Sequence, residues 1–239
     1  LIKYTLATMA TTNLLKTADT FLIGSLMGPA AVAKYAIPLK LTELFEIPLR
    51  SLSTTAFPQL AAHHNQRDYA GFRNHFIQFL SWAYIFYIPA LIGAFVFAPY
   101  IVLIIGGQQY ADTTPIFRVF ILFGLFLPAN RMTGISLDAL QLPAKNFQKV
   151  LIMALINIFG DFIAIKWSNQ LEWVAFVSVI NAAAGAMIGW WMLQQSKMLP
   201  KGNLLKDVAQ YIQHFIRQLL VRFKILSNGQ INNGRQSIL

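Results

Sequence analysis

Six long apolar segments, several with ionised residues in their interiors, constrain this chain most: 4–27, 31–59, 77–105, 115–140, 148–167 and 172–195. A helix of ~20 residues crosses the ~30 Å hydrocarbon layer of a bilayer. Lipid offers backbone groups no partners, so segments of this kind span as helices. A charge at mid-membrane costs at least ~2.5 kcal/mol on insertion scales and normally faces a partner or a wet cavity. Here Lys16, Asp19, Lys40, Glu43, Glu46, Arg50, Arg131, Asp138 and Asp161 all fall inside these segments or near their ends. An inert anchor has no use for them, whereas a protein that moves something polar does.

Composition agrees with an integral membrane protein. Charged residues make up 12% of the chain and hydrophobic ones 56%, against ~25% charged in a soluble domain. There is no cysteine, which excludes disulfides and thiolate metal sites. The net charge of +10 invites a nucleic-acid partner, but its distribution argues against one. Seven of the 19 basic residues lie after Gln195 and most others at segment ends, as in a membrane protein with a basic cytoplasmic side. The chain begins with Leu1, already at the edge of an apolar segment, and shows no signal peptide. It is read as an incomplete product with sequence missing before Leu1.

Loop charges predict an orientation. The 27–31 turn and the 106–114 loop carry no basic residue, and the 167–171 turn has only Lys166 before it. The 60–76 loop carries Arg67 and Arg73, the 141–149 loop Lys145 and Lys149, and the tail seven more basic residues. Basic and non-basic loops alternate, which suits six spans with both chain ends cytoplasmic. Residues 1–198 are expected to form the transmembrane lobe and 199–239 a basic tail. Within that tail, Leu204, Val208, Tyr211, Ile212, Phe215, Leu219 and Phe223 recur at helical spacing opposite a basic and polar face. The 203–226 stretch therefore reads as an amphipathic helix on the inner leaflet, with packing on the protein's own cytoplasmic face as the other reading. Residues 227–239 read as disordered.

The second segment has the richest polar face. Glu43, Glu46 and Arg50 fall within about 60° of one another around a helix, with Lys40 about 60° to one side. Glu46 precedes Arg50 by four residues, the favourable order for an ion pair. Pro38 and Pro48 flank the stretch and are expected to bend the helix. The first segment groups Thr12, Lys16, Asp19 and Thr20 on one face, the fourth Asn130, Arg131 and Asp138, and the fifth Asn157 and Asp161. The third and sixth offer little polarity. The sixth carries Gly185 and Gly189, a spacing that lets helices pack closely. Cations and anions in one cavity suit a zwitterionic or anionic group, and arginine grips oxyanions in bidentate fashion. Arg50 and Arg131, then Lys16 and Lys40, are the substrate-binding candidates. Asp19, Glu43, Glu46, Asp138 and Asp161 are supporting or proton-carrying candidates.

No GK[ST] phosphate loop is present, so no ATPase site is visible. The four histidines have no metal-ligand spacing, no catalytic constellation stands out, and neither cofactor nor metal is expected.

Several stretches resemble a known family. They are ADTFLIGSLMG from Ala18, VAKYAIPL from Val32, FPQL from Phe57, GGQQYADTTPIFRVF from Gly106, LPANRMTGISLDALQLPAKN from Leu127 and INIFGDFIAI from Ile156. Their order and spacing over roughly residues 10–195 resemble the O-antigen-type polysaccharide flippases of the multidrug/oligosaccharidyl-lipid/polysaccharide exporter superfamily. The resemblance implies two lobes of six spans, alternating access, and the flipping of undecaprenyl-diphosphate-linked glycans across a bacterial inner membrane. The motif order looks like the second lobe, with the first lobe as the missing partner and lipid-linked glycan as substrate. It also implies that inward-facing cations bind diphosphate or acidic sugars, with Arg50 and Arg131 first. A cation-coupled drug exporter of the same superfamily, a flippase for the peptidoglycan lipid precursor, a membrane enzyme acting on lipid-linked sugars, and a scaffold remain the alternatives. The balance of basic and acidic residues leans away from the drug exporter. The 106–114 loop, with one carboxylate, Asp112, is too small for an enzyme's site.

Overall fold

The computed structural model describes residues 2–196, 206–215 and 217–218, and all of its regular structure is helical. Eight α-helices make up residues 2–196: α1 (Ile2–Leu26), α2 (Pro29–Asn65), α3 (Tyr69–Val96), α4 (Ala98–Gly106), α5 (Thr114–Gly124), α6 (Leu127–Ala139), α7 (Pro143–Ser168) and α8 (Leu171–Gln195). A 3₁₀ segment, Gln108–Thr113, joins α4 to α5. Tight turns alternate between the two ends of the bundle. Turns at 27–28, 107–113 and 169–170 lie at one end, the near end, and turns at 66–68 and 140–142 at the other, the far end.

Two of the near-end turns depend on glycine. Gly28 (φ 91°, ψ 173°) and Gly107 (φ 85°, ψ 170°) occupy a backbone region that side chains with a Cβ essentially never enter. Each is followed closely by a helical segment, and Pro29 opens α2, where its missing N–H costs no hydrogen bond.

Helix boundaries depart from the sequence reading in the loops. The 60–76 loop shrinks to 66–68, because Asp68 caps α3 by accepting from the Gly71 amide at 2.9 Å. The 141–149 loop shrinks to 140–142: Lys145 and Lys149 both lie on α7, and Lys149 is buried rather than exposed to solvent. The third segment breaks at Phe97 and the fourth at 125–126. α2 runs as one helix through Pro38, Pro48 and Pro58.

Among the described residues, three helices are long and apolar enough to cross a membrane: Tyr69–Val96, Pro143–Ser168 and Leu171–Gln195. A fourth span results if Gln108–Gly124 and Leu127–Ala139, bent by 42°, count as one. α1 and α2 have the length, at 25 and 37 residues, but α2 alone carries Lys34, Lys40, Glu43, Glu46 and Arg50. The protein is thus a multi-pass helical membrane protein.

α7 sits centrally, packed against α1, α6 and α8, while α2 packs against α3, α5 and α6. Three apolar clusters hold the bundle. Ile23, Tyr35, Phe120, Ile165 and Val174 gather toward the near end, Leu41, Leu91, Val102 and Phe117 form a second cluster, and Leu60, Phe72, Phe76, Leu137 and Leu193 gather toward the far end. The helical residues 206–215 dock on this last cluster through Val208, Tyr211 and Ile212, and Arg73 donates to Asp207 at 2.8 Å. This part of the tail therefore packs on the protein itself. The rest of the 203–226 helix, the disordered stretch 227–239 and the boundary at 198–199 lie outside the described residues.

Candidate functional site

Three separate places receive the nine charged residues singled out above. The first is an exposed ridge. Lys16 of α1 donates to Glu46 Oε2 at 2.9 Å, and Arg50 of α2 reaches the same oxygen at 2.9 Å. The i,i+4 spacing foretold the Glu46–Arg50 pair, and α1 supplies the second cation. Arg131 of α6 donates from Nε to Ser53 Oγ at 3.2 Å, and Ser53 lies three residues beyond Arg50 on the same α2 stripe. Lys40 and Glu43 are exposed and form no ion pair among the described residues. The ridge thus carries Lys16, Lys40, Arg50 and Arg131 against Glu43 and Glu46. Exposed pairs of this kind add at most ~1 kcal/mol of stability, so the ridge does little to hold the fold.

The second place is buried. Asp19, although three residues from Lys16, turns inward and is 6% exposed. Asp161 is 0% exposed. The Asn157 amide donates to Asp19 Oδ1 and, at 2.8 Å, to Asp161 Oδ2, so one side chain ties both carboxyl groups together. Tyr35 donates its hydroxyl to Asp19 Oδ2 at 2.8 Å, and Ser178 does so at 3.3 Å. Asn181 in turn donates to Asn157 Oδ1 at 3.0 Å. Two acceptors, Asp161 Oδ1 and Asn181 Oδ1, are buried without a hydrogen-bond partner among the described residues. Helices α1, α2, α7 and α8 all contribute. The sequence pointed to Asp19, Asn157 and Asp161 but missed Tyr35, Ser178 and Asn181. The sixth segment, read as offering little polarity, supplies two of these. A single Ser or Asn in an apolar run gives no sign of its partner, and only the approach of α8 to α7 does.

The third place, toward the far end, holds Asp138, which accepts from Asn146 Nδ2 at 2.8 Å. Arg131 and Asp138, read as sharing a face, are not brought together. Arg131 turns to Ser53 on α2, and Asp138 turns to Asn146 on α7. Beside Asn146, Lys149 is 2% exposed and donates to the Asn130 carbonyl at 2.8 Å, with Thr133 Oγ1 at 3.4 Å. At the near end, Lys34 and Asp112 form an exposed ion pair between α2 and the 3₁₀ segment. Among the described residues no group of three His, Cys, Asp or Glu side chains is placed to hold a metal ion.

Comparison with known proteins places this geometry. Residues 2–115 match the family model described as "Polysaccharide biosynthesis protein". No curated protein matches the chain. Solved structures do. A MATE protein in complex with MaL6 superposes with a TM-score of 0.73 at 14% identity, over 80% of this chain and 45% of that one. An outward-facing multidrug resistance MATE family transporter of the MOP superfamily gives 0.72 at 14% identity, over 82% and 45%. A MOP superfamily transporter from Pyrococcus furiosus, described as having a binding pocket of reverse polarity that suggests a different function, gives 0.71 at 16% identity, over 86% and 48%. The chain spans less than half the length of these structures, and at such identities the likeness is one of fold. The family match and the shared fold bear out the resemblance to the polysaccharide flippases of this superfamily.

Proposed function

We propose that this chain is one lobe of a transporter that flips a lipid-linked oligosaccharide across a bacterial inner membrane, with a second lobe of the same protein as its partner. The observation that carries the reading is the exposed ridge, where Lys16, Lys40, Arg50 and Arg131 outnumber Glu43 and Glu46 on helices of a membrane protein. A surface with that bias suits the diphosphate and acidic sugars of such a substrate, and the polysaccharide-biosynthesis match over residues 2–115 supports the same substrate class. All six segments span in this reading. α1 and α2 do so despite their charges because the polar face turns to a wet cavity between lobes rather than to lipid. The far end, with Arg67, Arg73 and Lys145, is cytoplasmic under the positive-inside rule, as are both chain ends. The tail helix lies at that face.

The buried pair Asp19–Asp161 is the proton-carrying element of this reading. Two carboxyl groups tied to one Asn157 amide in so dry a setting repel one another when both are ionised, which suits the holding of one proton between them. No enzymatic step is assigned.

The MATE-like fold favours a second reading, a cation-coupled multidrug exporter. The two diverge at the ridge, because an exporter of cationic drugs gains nothing from four exposed cations. In the intact protein, Arg50→Ala and Arg131→Ala should lower surface glycan while expression holds. Normal glycan output from both variants would remove the ridge from the substrate path. Resistance to cationic dyes on expression would favour the exporter.

A further inference from the structure

One face of α7 carries Asn146, Lys149, Met153, Asn157 and Asp161, spaced three, four, four and four residues apart, all buried. The α8 face against it carries Ser178, Asn181, Gly185 and Gly189 at three, four and four. Each α8 glycine makes room for a polar or pliable group. A Cβ on Gly185 would stand 2.4 Å from Met153 Sδ and 2.9 Å from Asn130 Oδ1. One on Gly189 would stand 2.4 Å from Thr133 Oγ1 and 3.2 Å from Lys149 Cδ. On α6, Gly134 leaves the Lys149 amine and Asn146 Oδ1 each 3.4 Å from where its Cβ would be. Polar side chains therefore follow one another along the α6–α7–α8 interface from Asp138 and Asn146, through Lys149 and Asn130, to Asn181, Asn157 and the carboxyl pair.

The two ends of this seam are electrically unlike. Toward the near end stand two acceptors without partners, Asp161 Oδ1 and Asn181 Oδ1. Toward the far end stands the Lys149 amine, which donates to the Asn130 carbonyl at 2.8 Å and to Thr133 Oγ1 at 3.4 Å. Between them the main apolar obstacle on α7 is Met153, whose unbranched side chain changes rotamer readily.

We infer that this polar seam is the route by which a proton passes between the far end of the lobe and the Asp19–Asp161 pair, with Lys149 as the electropositive gate on it. The inference rests on the proposed proton-carrying role of that pair. In this scheme solvent admitted as Met153 swings aside carries the proton. The carboxyl pair gains it and loses one negative charge, while Lys149, when charged, opposes the passing positive charge. Lys149 stands eight residues from Asn157, or ~12 Å along the helix. At an effective dielectric of ~20, a unit charge at that distance changes passage by about tenfold.

The test is a pH jump on the intact two-lobe protein in lipid nanodiscs, followed by infrared difference spectroscopy of the protonated-carboxyl band. Asp161→Asn identifies the band by removing it. Lys149→Met should speed the band's rise about tenfold, Lys149→Arg should leave it near the unsubstituted rate, and Gly185→Ala, whose methyl enters the seam, should slow it. Circular dichroism checks each fold. If Lys149→Met does not fold, Gly185→Ala decides alone, since Met153 and Asn130 can yield to one methyl. Unchanged rates in the folded variants overturn the seam and leave the carboxyl pair as proton carrier. A band that is absent, or that survives Asp161→Asn, removes the carrier reading and the seam with it.

Discussion

Asn157 shows how far a single side chain can be responsible for a buried site. Its amide is donor to both carboxyl groups and its carbonyl accepts from Asn181. Removing it takes from Asp161 its one donor among the described residues and from Asp19 one of three, and an unpaired buried acceptor costs more than a lost hydrogen bond alone. Asn157→Leu should therefore destabilise the chain by about 3 kcal/mol or more, read as a lower melting temperature in detergent. Adding Asp161→Asn should recover part of the loss, and a double variant no more stable than Asn157→Leu would mean the carboxyl pair is not what the amide serves. At the far end, Asp68 is held below the ordinary carboxylate value of 3.8, first by the Gly71 amide and then by His63. A depressed value means its stabilisation is fully present above 3.8 and fades as pH falls through the folded-state value. The gap in melting temperature between the unsubstituted chain and Asp68→Ala should thus hold steady at neutral pH and narrow in acid. A gap that widened in acid would contradict the cap. The sequence disclosed partners only where they lie one helical turn apart. Glu46–Arg50 and Asn157–Asp161 were legible for that reason. Tyr35 on Asp19, sixteen residues away, was not. Lys149 was misread because a lysine shortly after Leu142-Pro143 looks like loop charge, whereas Pro143 opens a helix there.

At the scale of elements, apolar length located the spans but hid their breaks. Nothing in the run from Thr114 to Ala139 marks the bend at 125–126, since both halves are apolar and Pro128 opens α6 rather than interrupting a helix. Conversely, Pro38 and Pro48, expected to bend the helix, do not end it, and α2 continues through them and through Pro58. Turns are set more firmly. Gly28 needs φ near 91°, and a Cβ in that region costs about 1–3 kcal/mol. Gly28→Ala should cost that much although no atom stands within 4 Å of the added methyl, which separates backbone strain from crowding. Gly93→Ala, on α3 with nothing within 4 Å and an ordinary helical backbone, is the control and should be neutral or slightly stabilising. Equal losses in both variants would rule out strain as the cause. The spacing of Gly185 and Gly189 was legible as a packing motif. What they pack against, Met153, Asn130, Thr133 and Lys149, was not, because it depends on which helices meet.

For the molecule as a whole, helical class and membrane character were legible from composition, whereas the packing of α1 on α7 and of α5 on α8 joins segments remote in sequence and leaves no local trace. That packing decides which polar faces are buried and which stay open. Asp19 and Lys16 share a stripe in sequence, yet α7 covers the first while the second stays 42% exposed beside Glu46. An open charged face on a membrane protein must be wet or partnered, because lipid contact costs at least ~2.5 kcal/mol per charge. The chain contains no cysteine, so single cysteines can test this directly. Glu43→Cys and Lys40→Cys place a thiol on the ridge. Phe159→Cys places one on α7 at a site 63% exposed and apolar, as expected of a surface toward lipid. In membranes, a charged, impermeant maleimide should label the ridge thiols at least about tenfold faster than the Phe159 thiol, because the thiolate that reacts forms only where water solvates it. Equal, slow labelling at all three would put the ridge against lipid and withdraw it as the wall of a substrate path. Fast ridge labelling that soluble polyanion slows would join the wet face to the anionic substrate proposed for it.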